Sequence, residues 1–130
     1  MLLVKTKIGP SKISGIGCFA DQFIPKGTQI WRFKKGFDIR FDENYPDLLS
    51  EPAKSFFLKY AYQNPKTKNH IFAIDDARFF NHSDTPNTVH VEDPEDEELM
   101  DLARHDIQVG EEITNDYREF DNNPFYGFEN

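Results

Sequence analysis

Three consecutive residues, Asn81, His82 and Ser83, could take part in chemistry, because each side chain can donate or accept a hydrogen bond. A zinc site on His82 would need further ligands at suitable spacing, and the other histidines stand alone in the sequence. A Ser83 nucleophile with His82 as its base is also disfavoured, since neighbouring side chains on an extended chain point to opposite sides. Two interpretations remain open: a tight turn closed by Pro86, or a loop that presents Asn81 and the backbone at His82 to a polar ligand.

A pair of glycines, Gly15 and Gly17, forms a second candidate site, because glycine lets the backbone turn tightly and approach a ligand closely. A dinucleotide-binding loop of the Rossmann type would need a third glycine at the start of a helix. Here Cys18, Phe19 and Ala20 continue as a strand-like run instead. By itself the pair fits a hairpin turn as well as a ligand-binding loop.

A third motif runs from Gly110 to Tyr117. Gly110 favours a turn, and the alternation of Ile113 and Thr114 predicts a strand that ends at Asp116 and Tyr117. A tyrosine at the end of a strand can present its hydroxyl to a cleft, although a core tyrosine with its hydroxyl at the rim is the commoner case. None of the three motifs decides the function alone.

The elements that would position these residues are short strands. The candidate segments are rich in β-branched or aromatic residues and are separated by Gly, Pro, Asn or Asp: 2–7, 16–20, 28–33, 37–41, 70–75, 88–91, 99–103 and 112–117. One helix is predicted over 47–62, where Ser50 can cap the N terminus and Phe57 and Tyr60 fall at helical spacing. The pattern predicts a mainly β fold with few short helices, as a single domain over 1–130.

Length and composition support a packed core. At 130 residues, about two-thirds of the surface of the unfolded chain can be buried. The 13 Phe and 5 Tyr residues concentrate the apolar surface in large rings. No run approaches the roughly 20 apolar residues that span a bilayer, and the first residues lack the layout of a signal peptide. We expect an intracellular, soluble protein without a membrane segment.

The formal charge of −8 makes direct binding of nucleic acid improbable and would steer basic substrates towards the protein. Seven acidic residues and no basic ones lie between Glu92 and Asp101. This segment is predicted to be a solvated acidic loop, or alternatively a guide for a cationic peptide. The single cysteine, Cys18, can form neither an internal disulfide nor a cysteine-rich zinc cluster.

Taken together, in their order along the chain, four motifs resemble the SET domain of protein lysine methyltransferases. They are Ser-Gly-Ile-Gly-Cys-Phe-Ala at 14–20, Ile-Pro-Lys-Gly at 24–27, Arg-Phe-Phe-Asn-His-Ser at 78–83 with Pro86 and Asn87, and Gly-Glu-Glu-Ile at 110–113 with Asp116 and Tyr117. The resemblance spans about 5–117. In length, and in lacking cysteine-rich flanks, the chain is similar to the minimal SET proteins of viruses and bacteria.

The resemblance implies small curled sheets around a knot-like core, where the segment carrying Asn-His-Ser threads beside the segment that ends in Asp-Tyr. It also implies S-adenosylmethionine in a pocket on one face and a narrow channel for the target lysine on the opposite face. The expected reaction is methyl transfer to a lysine of a basic protein, a histone or a histone-like protein. A non-histone basic protein is the alternative substrate, and the oligomeric state stays open, although related minimal proteins can pair as homodimers.

The resemblance also carries over residue roles. Tyr117 corresponds to the catalytic tyrosine and would orient the amine. Cofactor contacts fall on Gly15, Ile16, Gly17, Arg78, Asn81, His82, Tyr117 and Phe128. Channel residues are Phe120 and either Tyr60 or Tyr62, since helical spacing suggests that only one of the two tyrosines faces inward, with Tyr60 favoured.

Two departures from the family pattern stand out. Ile16 lies between the glycines, where many members carry Arg, Trp or Tyr, and Asp84 replaces the cysteine that often follows Asn-His-Ser. The zinc-binding cysteines of larger members are absent, so no metal is expected. The alternative to an active enzyme is a catalytically weak or inactive SET-like module that binds a peptide or partner.

Overall fold

The computed structural model describes residues 1–122 of the 130-residue chain. Within that range the strands and the α-helix are, in chain order, β1 (Thr6–Pro10), β2 (Ile16–Ala20), β3 (Gln29–Trp31), β4 (Ile39–Phe41), α1 (Glu51–Tyr60), β5 (Tyr62–Gln63), β6 (His70–Phe72), β7 (Asn81–His82), β8 (Thr88–Asp93), β9 (Asp96–Ala103) and β10 (Thr114–Asn115). Short 3-10 helices occupy Tyr45–Leu48, Asp76–Phe79 and Tyr117–Glu119. The prediction of a mainly β fold with few short helices is confirmed.

The strands of the described range form small separate sheets. Three are antiparallel: the β1–β2 hairpin, a sheet in the order β3–β9–β8, and a sheet in the order β4–β6–β5. The fourth is the parallel pair of β7 and β10, in which Asn81 lies opposite Thr114 and His82 opposite Asn115. This pair places the Asn-His-Ser segment beside the segment that leads into Tyr117, as the resemblance implied.

Further backbone and side-chain hydrogen bonds hold the parallel pair together, because strands of two residues offer few ladder hydrogen bonds. The Ser83 N–H donates to the Asn115 carbonyl at 2.9 Å. The Thr88 hydroxyl lies 2.8 Å from the Thr114 carbonyl oxygen and 2.7 Å from Asn115 Oδ1. Asn87 Oδ1 accepts the Thr114 N–H at 2.9 Å. The turn after His82 therefore fixes the start of the chain segment that carries Tyr117.

The helix predicted over 47–62 is shorter in the structure, where α1 covers Glu51–Tyr60. Ser50 caps it as expected, accepting an N–H of the first turn at 3.4 Å. The helix ends because Ala61 adopts an extended backbone, with φ −81° and ψ 149°, and Tyr62 then begins β5. Among the described residues no helix is long and apolar enough to cross a membrane.

The acidic segment 92–101 is not the solvated loop that its composition predicts. It forms the turn and second strand of the β8–β9 hairpin, and arginines from elsewhere in the chain neutralise its carboxylates. Arg32 makes a bidentate pair with Asp93, at 2.7 and 2.8 Å, and Arg40 pairs with Asp96. Local charge could not reveal these partners, which lie more than 50 residues away.

Buried side chains of the described range form an apolar core cluster. Its buried members are Cys18, Ala20, Ile24, Ile30, Trp31, Phe33, Ile71, Phe80, Ala103, Ile107 and Ile113. Phe79 packs against this cluster and Phe80 belongs to it, so both rings anchor the segment that leads into Asn81. Burial raises the pKa of the Cys18 thiol to about 12, so this cysteine is a protonated core residue at neutral pH.

Candidate active site

Tyr117 is held at both ends by the segment around β7. Its hydroxyl donates to the Phe80 carbonyl oxygen at 2.5 Å, and its backbone N–H donates to His82 Nδ1 at 3.1 Å. Burial raises the pKa of Tyr117, and the Asp121 and Glu112 carboxylates act in the same direction. The side chain is therefore a neutral phenol in a fixed position, which can orient a ligand but is a poor general base.

The His82 imidazole acts as a clamp on the backbone. Because Nδ1 accepts the N–H of Tyr117, the ring hydrogen of the neutral form lies on Nε2, which is 2.9 Å from Asp84 Oδ1. Arg118 holds the same Asp84 oxygen at 3.1 Å. The side chain of His82 thus orders the Tyr117 segment, and its backbone lies in the β7–β10 pair.

Asn81 connects β7 to the loop that carries Gly15 and Gly17, here called the glycine loop. Its Nδ2 atom lies 3.1 Å from the Ser14 carbonyl oxygen, 3.3 Å from that of Ile16 and 2.8 Å from Glu112 Oε2. The two N–H bonds of the amide therefore face protein acceptors. Any direct contact between this side chain and a ligand must use Oδ1, which can only accept a hydrogen bond.

Glu112 lies in the Gly-Glu-Glu-Ile motif, but no site role was predicted for it. Its carboxylate accepts from the Ser11 hydroxyl at 2.8 Å and from Asn81. It also lies close against Gly17, where an added Cβ would stand 2.8 Å from Glu112 Cδ. A side chain at position 17 would therefore have to displace the Glu112 carboxylate, whereas Gly15 has a φ of +46°, which favours glycine.

Two pockets meet at Tyr117. The smaller, of about 40 Å³, is bounded by the glycine loop at Ser14, Gly15 and Ile16, and we call it the glycine-loop pocket. The larger, of about 70 Å³, contains the rings of Tyr62 and Phe120, and we call it the aromatic pocket. Residues that line both are Lys59, Tyr60, Arg78, Phe80 and Tyr117. The structure thus brings most of the expected site residues together, while Gly17 and His82 line neither pocket.

The aromatic pocket has edge-to-face walls. Phe120 packs against Tyr62 at a centroid distance of 5.0 Å and an interplanar angle of 88°, and against Tyr117 at 5.9 Å and 81°. Tyr60 and Tyr62 both line this pocket, contrary to the expectation that only one would face inward. The reason is that they lie on different elements, since the helix ends between them at Ala61.

Two cations, Arg78 and Lys59, line both pockets and lie over aromatic rings. The Arg78 guanidinium is 4.8 Å from the Phe79 ring centroid, and Lys59 Nζ is 5.3 Å from that of Tyr60. Within residues 1–122, Arg78 is the arginine that has no carboxylate partner, and its Nε is buried without a hydrogen bond. Such a group favours an anionic ligand.

A buried ion pair closes the far wall of the aromatic pocket. His90 lies opposite Asp101 in the β8–β9 pair, with Nε2 3.1 Å from Asp101 Oδ1 and Nδ1 3.0 Å from Glu119 Oε1. Burial opposes protonation of His90, but the two carboxylates outweigh it and raise its pKa to about 9. The charged ring stacks on Phe120 at 4.3 Å. No site role was predicted for His90, because its partners Asp101 and Glu119 are distant in the chain.

Phe128, the remaining predicted cofactor contact, lies outside the described residues. In the part of the chain that the structure covers, no three His, Cys, Asp or Glu side chains are placed to hold a metal ion.

Comparison with protein families identifies one match. The model described as "SET domain" matches residues 15–118. No curated protein matches the chain significantly.

Solved structures show the same fold at low sequence identity. A Plasmodium falciparum protein, described as a candidate histone methyltransferase, has a TM-score of 0.59 and 20% identity, covering 89% of this chain and 95% of its own. The Polycomb repressive complex 2 of Chaetomium thermophilum, in a humanised form bound to an inhibitor, has a TM-score of 0.63 and 16% identity, covering 94% of this chain and 16% of its own. An apo ctPRC2 with mutated Ezh2 has a TM-score of 0.71 and 17% identity, covering 92% of this chain and 16% of its own.

Proposed function

Because the chain belongs to the SET domain family, we propose that it transfers a methyl group from S-adenosylmethionine to a lysine side chain of a basic protein. Family membership supports lysine methylation in general. The observation that carries the finer proposal is the position of Tyr117, whose ring lies where the glycine-loop pocket meets the aromatic pocket. A methyl donor in one pocket and an amine in the other would meet at this residue.

The residues of the glycine-loop pocket fit S-adenosylmethionine, which when bound would supply the methyl group on a sulfonium. Arg78 and Lys59 offer positive charge for the carboxylate of its methionine part. The backbone at Gly15 and Ile16 and the Oδ1 atom of Asn81 offer polar contacts. Ile16, with a relative exposure of 49%, provides an apolar rim in place of the Arg, Trp or Tyr of other members.

The aromatic pocket fits the stem and amine of a lysine. With an ordinary lysine pKa near 10.4, holding the amine neutral at pH 7 costs roughly 4 to 5 kcal/mol. Walls formed by Tyr62, Phe120 and Tyr117 disfavour the ammonium by desolvation and so lower that cost. Tyr117, held as a neutral phenol, would align the amine, and the released proton would pass to water.

A basic substrate such as a histone agrees with the net charge of −8. Asp101 and Asp121 line the aromatic pocket, but Asp101 is already paired with His90, as the acidic hairpin is with Arg32 and Arg40, so the net charge would attract such a substrate. A non-histone basic protein would serve the same site equally well. An intracellular location follows from these reactants, and a homodimer stays a prediction.

A second candidate is a catalytically weak SET-like module that binds a peptide. The observation that favours it is Ile16, which gives the rim of the glycine-loop pocket no polar or aromatic group. Such a module would bind the cofactor or a lysine peptide without turnover.

The test is incubation of the protein with cofactor carrying a labelled methyl group and a panel of basic proteins, histones included, alongside calorimetry with the cofactor. We expect cofactor binding and labelled lysine in at least one basic protein. Binding without transfer to any lysine favours the second candidate. Neither binding nor transfer would overturn the proposal.

A further inference from the structure

Glu98 is a buried carboxylate directly behind the aromatic pocket. Its relative exposure is 1%, and it accepts the Tyr62 hydroxyl at 2.7 Å. Both of its oxygens also lie 3.2 Å from Asn64 Nδ2. A carboxylate at such a depth is costly unless hydrogen bonds compensate for the lost water, so this arrangement calls for an explanation.

The orientation of the Asn64 amide is fixed independently by the turn that follows it. Asn64 Oδ1 accepts the backbone N–H of Lys66 at 2.8 Å and that of Thr67 at 3.1 Å. Because Oδ1 is occupied by these donors, the NH₂ group must be the end that faces Glu98. Glu98 therefore receives hydrogens from Asn64 and has no need to carry one itself.

Burial raises the pKa of Glu98, while the hydrogen bonds from Tyr62 and Asn64 and the charge of Arg40, whose Nε lies 3.8 Å from Glu98 Oε2, act in the opposite direction and favour the ionised form. An ionised carboxylate can only accept hydrogen bonds. The single hydroxyl hydrogen of Tyr62 is thus committed to Glu98. Towards anything in the aromatic pocket, the Tyr62 oxygen can offer only acceptor lone pairs.

We propose that Glu98 is a positioning residue that makes the Tyr62 hydroxyl an obligatory hydrogen-bond acceptor for the target amine. This inference rests on the proposed function. A neutral amine has two or fewer N–H bonds and one lone pair, and the lone pair must face the methyl group for displacement. An acceptor in the wall binds an N–H and leaves the lone pair free, whereas a donor in the wall would compete for it.

The isosteric variant Glu98→Gln tests the idea, because Arg40 favours one orientation of the new amide. Its oxygen would take the Oε2 position, which faces the Arg40 Nε at 3.8 Å, so its NH₂ group would take the Oε1 position, face Tyr62 and turn the hydroxyl hydrogen away from residue 98. We expect kcat to fall about 10-fold, equivalent to 1.4 kcal/mol, with KM for peptide and cofactor within twofold. The matched control is Glu97→Gln, on the same strand, whose side chain is 53% exposed.

A double-mutant cycle with Tyr62→Phe separates positioning from a general structural effect. If Glu98 acts through the hydroxyl, Glu98→Gln should lower kcat no further in the Tyr62→Phe background. If instead the double variant loses kcat by the product of the two single-variant fold-changes, the substitutions act independently and the inference is overturned. Should Glu98→Gln fail to fold, Tyr62→Phe alone decides, since an unchanged kcat would show that the hydroxyl has no role to be positioned for.

An NMR measurement that does not depend on methyl transfer distinguishes this inference from the proposed function. The buried Tyr62 hydroxyl should give a slowly exchanging proton signal by NMR that is absent in Tyr62→Phe, displaced in Glu98→Gln and unmoved in Glu97→Gln. Normal methyl transfer with an unmoved signal, or with an unchanged kcat, overturns the inference alone. No transfer by the wild type overturns the proposed function, and the role of Glu98 in it, even if the signal behaves as expected.

Discussion

The imidazole of His82 accepts a hydrogen bond from the backbone N–H of Tyr117 at 3.1 Å, so a side chain of β7 sets the start of the segment that carries the candidate catalytic hydroxyl. The two residues are 35 positions apart in the chain. This bond joins the third of the four sequence motifs to the last, and it gives the Asn-His-Ser histidine a structural role.

The variant His82→Leu should therefore lower methyl transfer about 10-fold, since losing one buried hydrogen bond costs about 1 to 3 kcal/mol and frees the Tyr117 backbone. His82→Asn should stay within a few-fold of the wild type, because Asn Oδ1 can accept where Nδ1 did. Transfer rates on one peptide check this. Equal losses in both variants would show that the hydrogen bond from the Tyr117 N–H to His82 does not position Tyr117.

Tyr117→Phe should lower transfer strongly while leaving cofactor affinity within about twofold, because the proposed role of the hydroxyl is to align the amine and it donates to the Phe80 carbonyl of the protein. Paired kinetic and calorimetric measurements are needed. An equal loss of transfer and of cofactor affinity would show that Tyr117 supports the glycine-loop pocket instead.

Asn81→Asp should destabilise the protein more than Asn81→Ala, even though Asp is closer in shape. The new carboxylate would face the Ser14 and Ile16 carbonyl oxygens and Glu112, which all require a donor. We expect Asp to lower the free energy of unfolding by at least 3 kcal/mol and Ala by about 1 to 3 kcal/mol. Denaturant unfolding checks the order. Asn81→Ala should also abolish cofactor binding in calorimetry while the fold survives.

The charged His90 should make stability depend on pH. Its pKa is 6.5 when unfolded and about 9 when folded, so the folded protein binds the proton more tightly. The stabilisation is fully present below pH 6.5 and is lost as pH rises through about 9, on the order of 3 kcal/mol in total.

Unfolding free energies of the wild type and His90→Gln, measured from pH 6 to 10, check this dependence. The difference between the two should shrink as pH rises, because the attraction of Asp101 and Glu119 vanishes with the charge. Arg104, which lies 3.4 Å from Glu119, stays charged throughout and cannot cause the change. A difference that is flat across this range would show that His90 is neutral in the folded state.

The sequence predicted what depends on local pattern or on motif order. The cap at Ser50, the glycine loop and the meeting of Asn81 with Tyr117 all followed from residues that are close in sequence or recognisable as a set. The bounds of α1 did not, since the extended backbone at Ala61 is imposed by β5 pairing with β6. That one residue decides that Tyr60 and Tyr62 share a pocket.

Buried acids were the least predictable feature. Glu98 lies in a run of carboxylates that locally indicates a solvent-exposed segment, yet it is among the most buried side chains. Its compensating partners, Tyr62 and Asn64, are 36 and 34 residues away. Glu112 was similarly hidden, because nothing in its own motif indicates that Asn81 and Gly17 will pack against it.

The parallel pair of β7 and β10 has a kinetic consequence. The amide of Ser83 is bonded to the Asn115 carbonyl and that of Tyr117 to His82, so a single separation of the two short strands would expose both amides. Their hydrogens should exchange with solvent as one cooperative unit. A chain that has opened this unit has also separated the residues of the candidate active site, so isotope exchange at these two amides would report the lifetime of the assembled site.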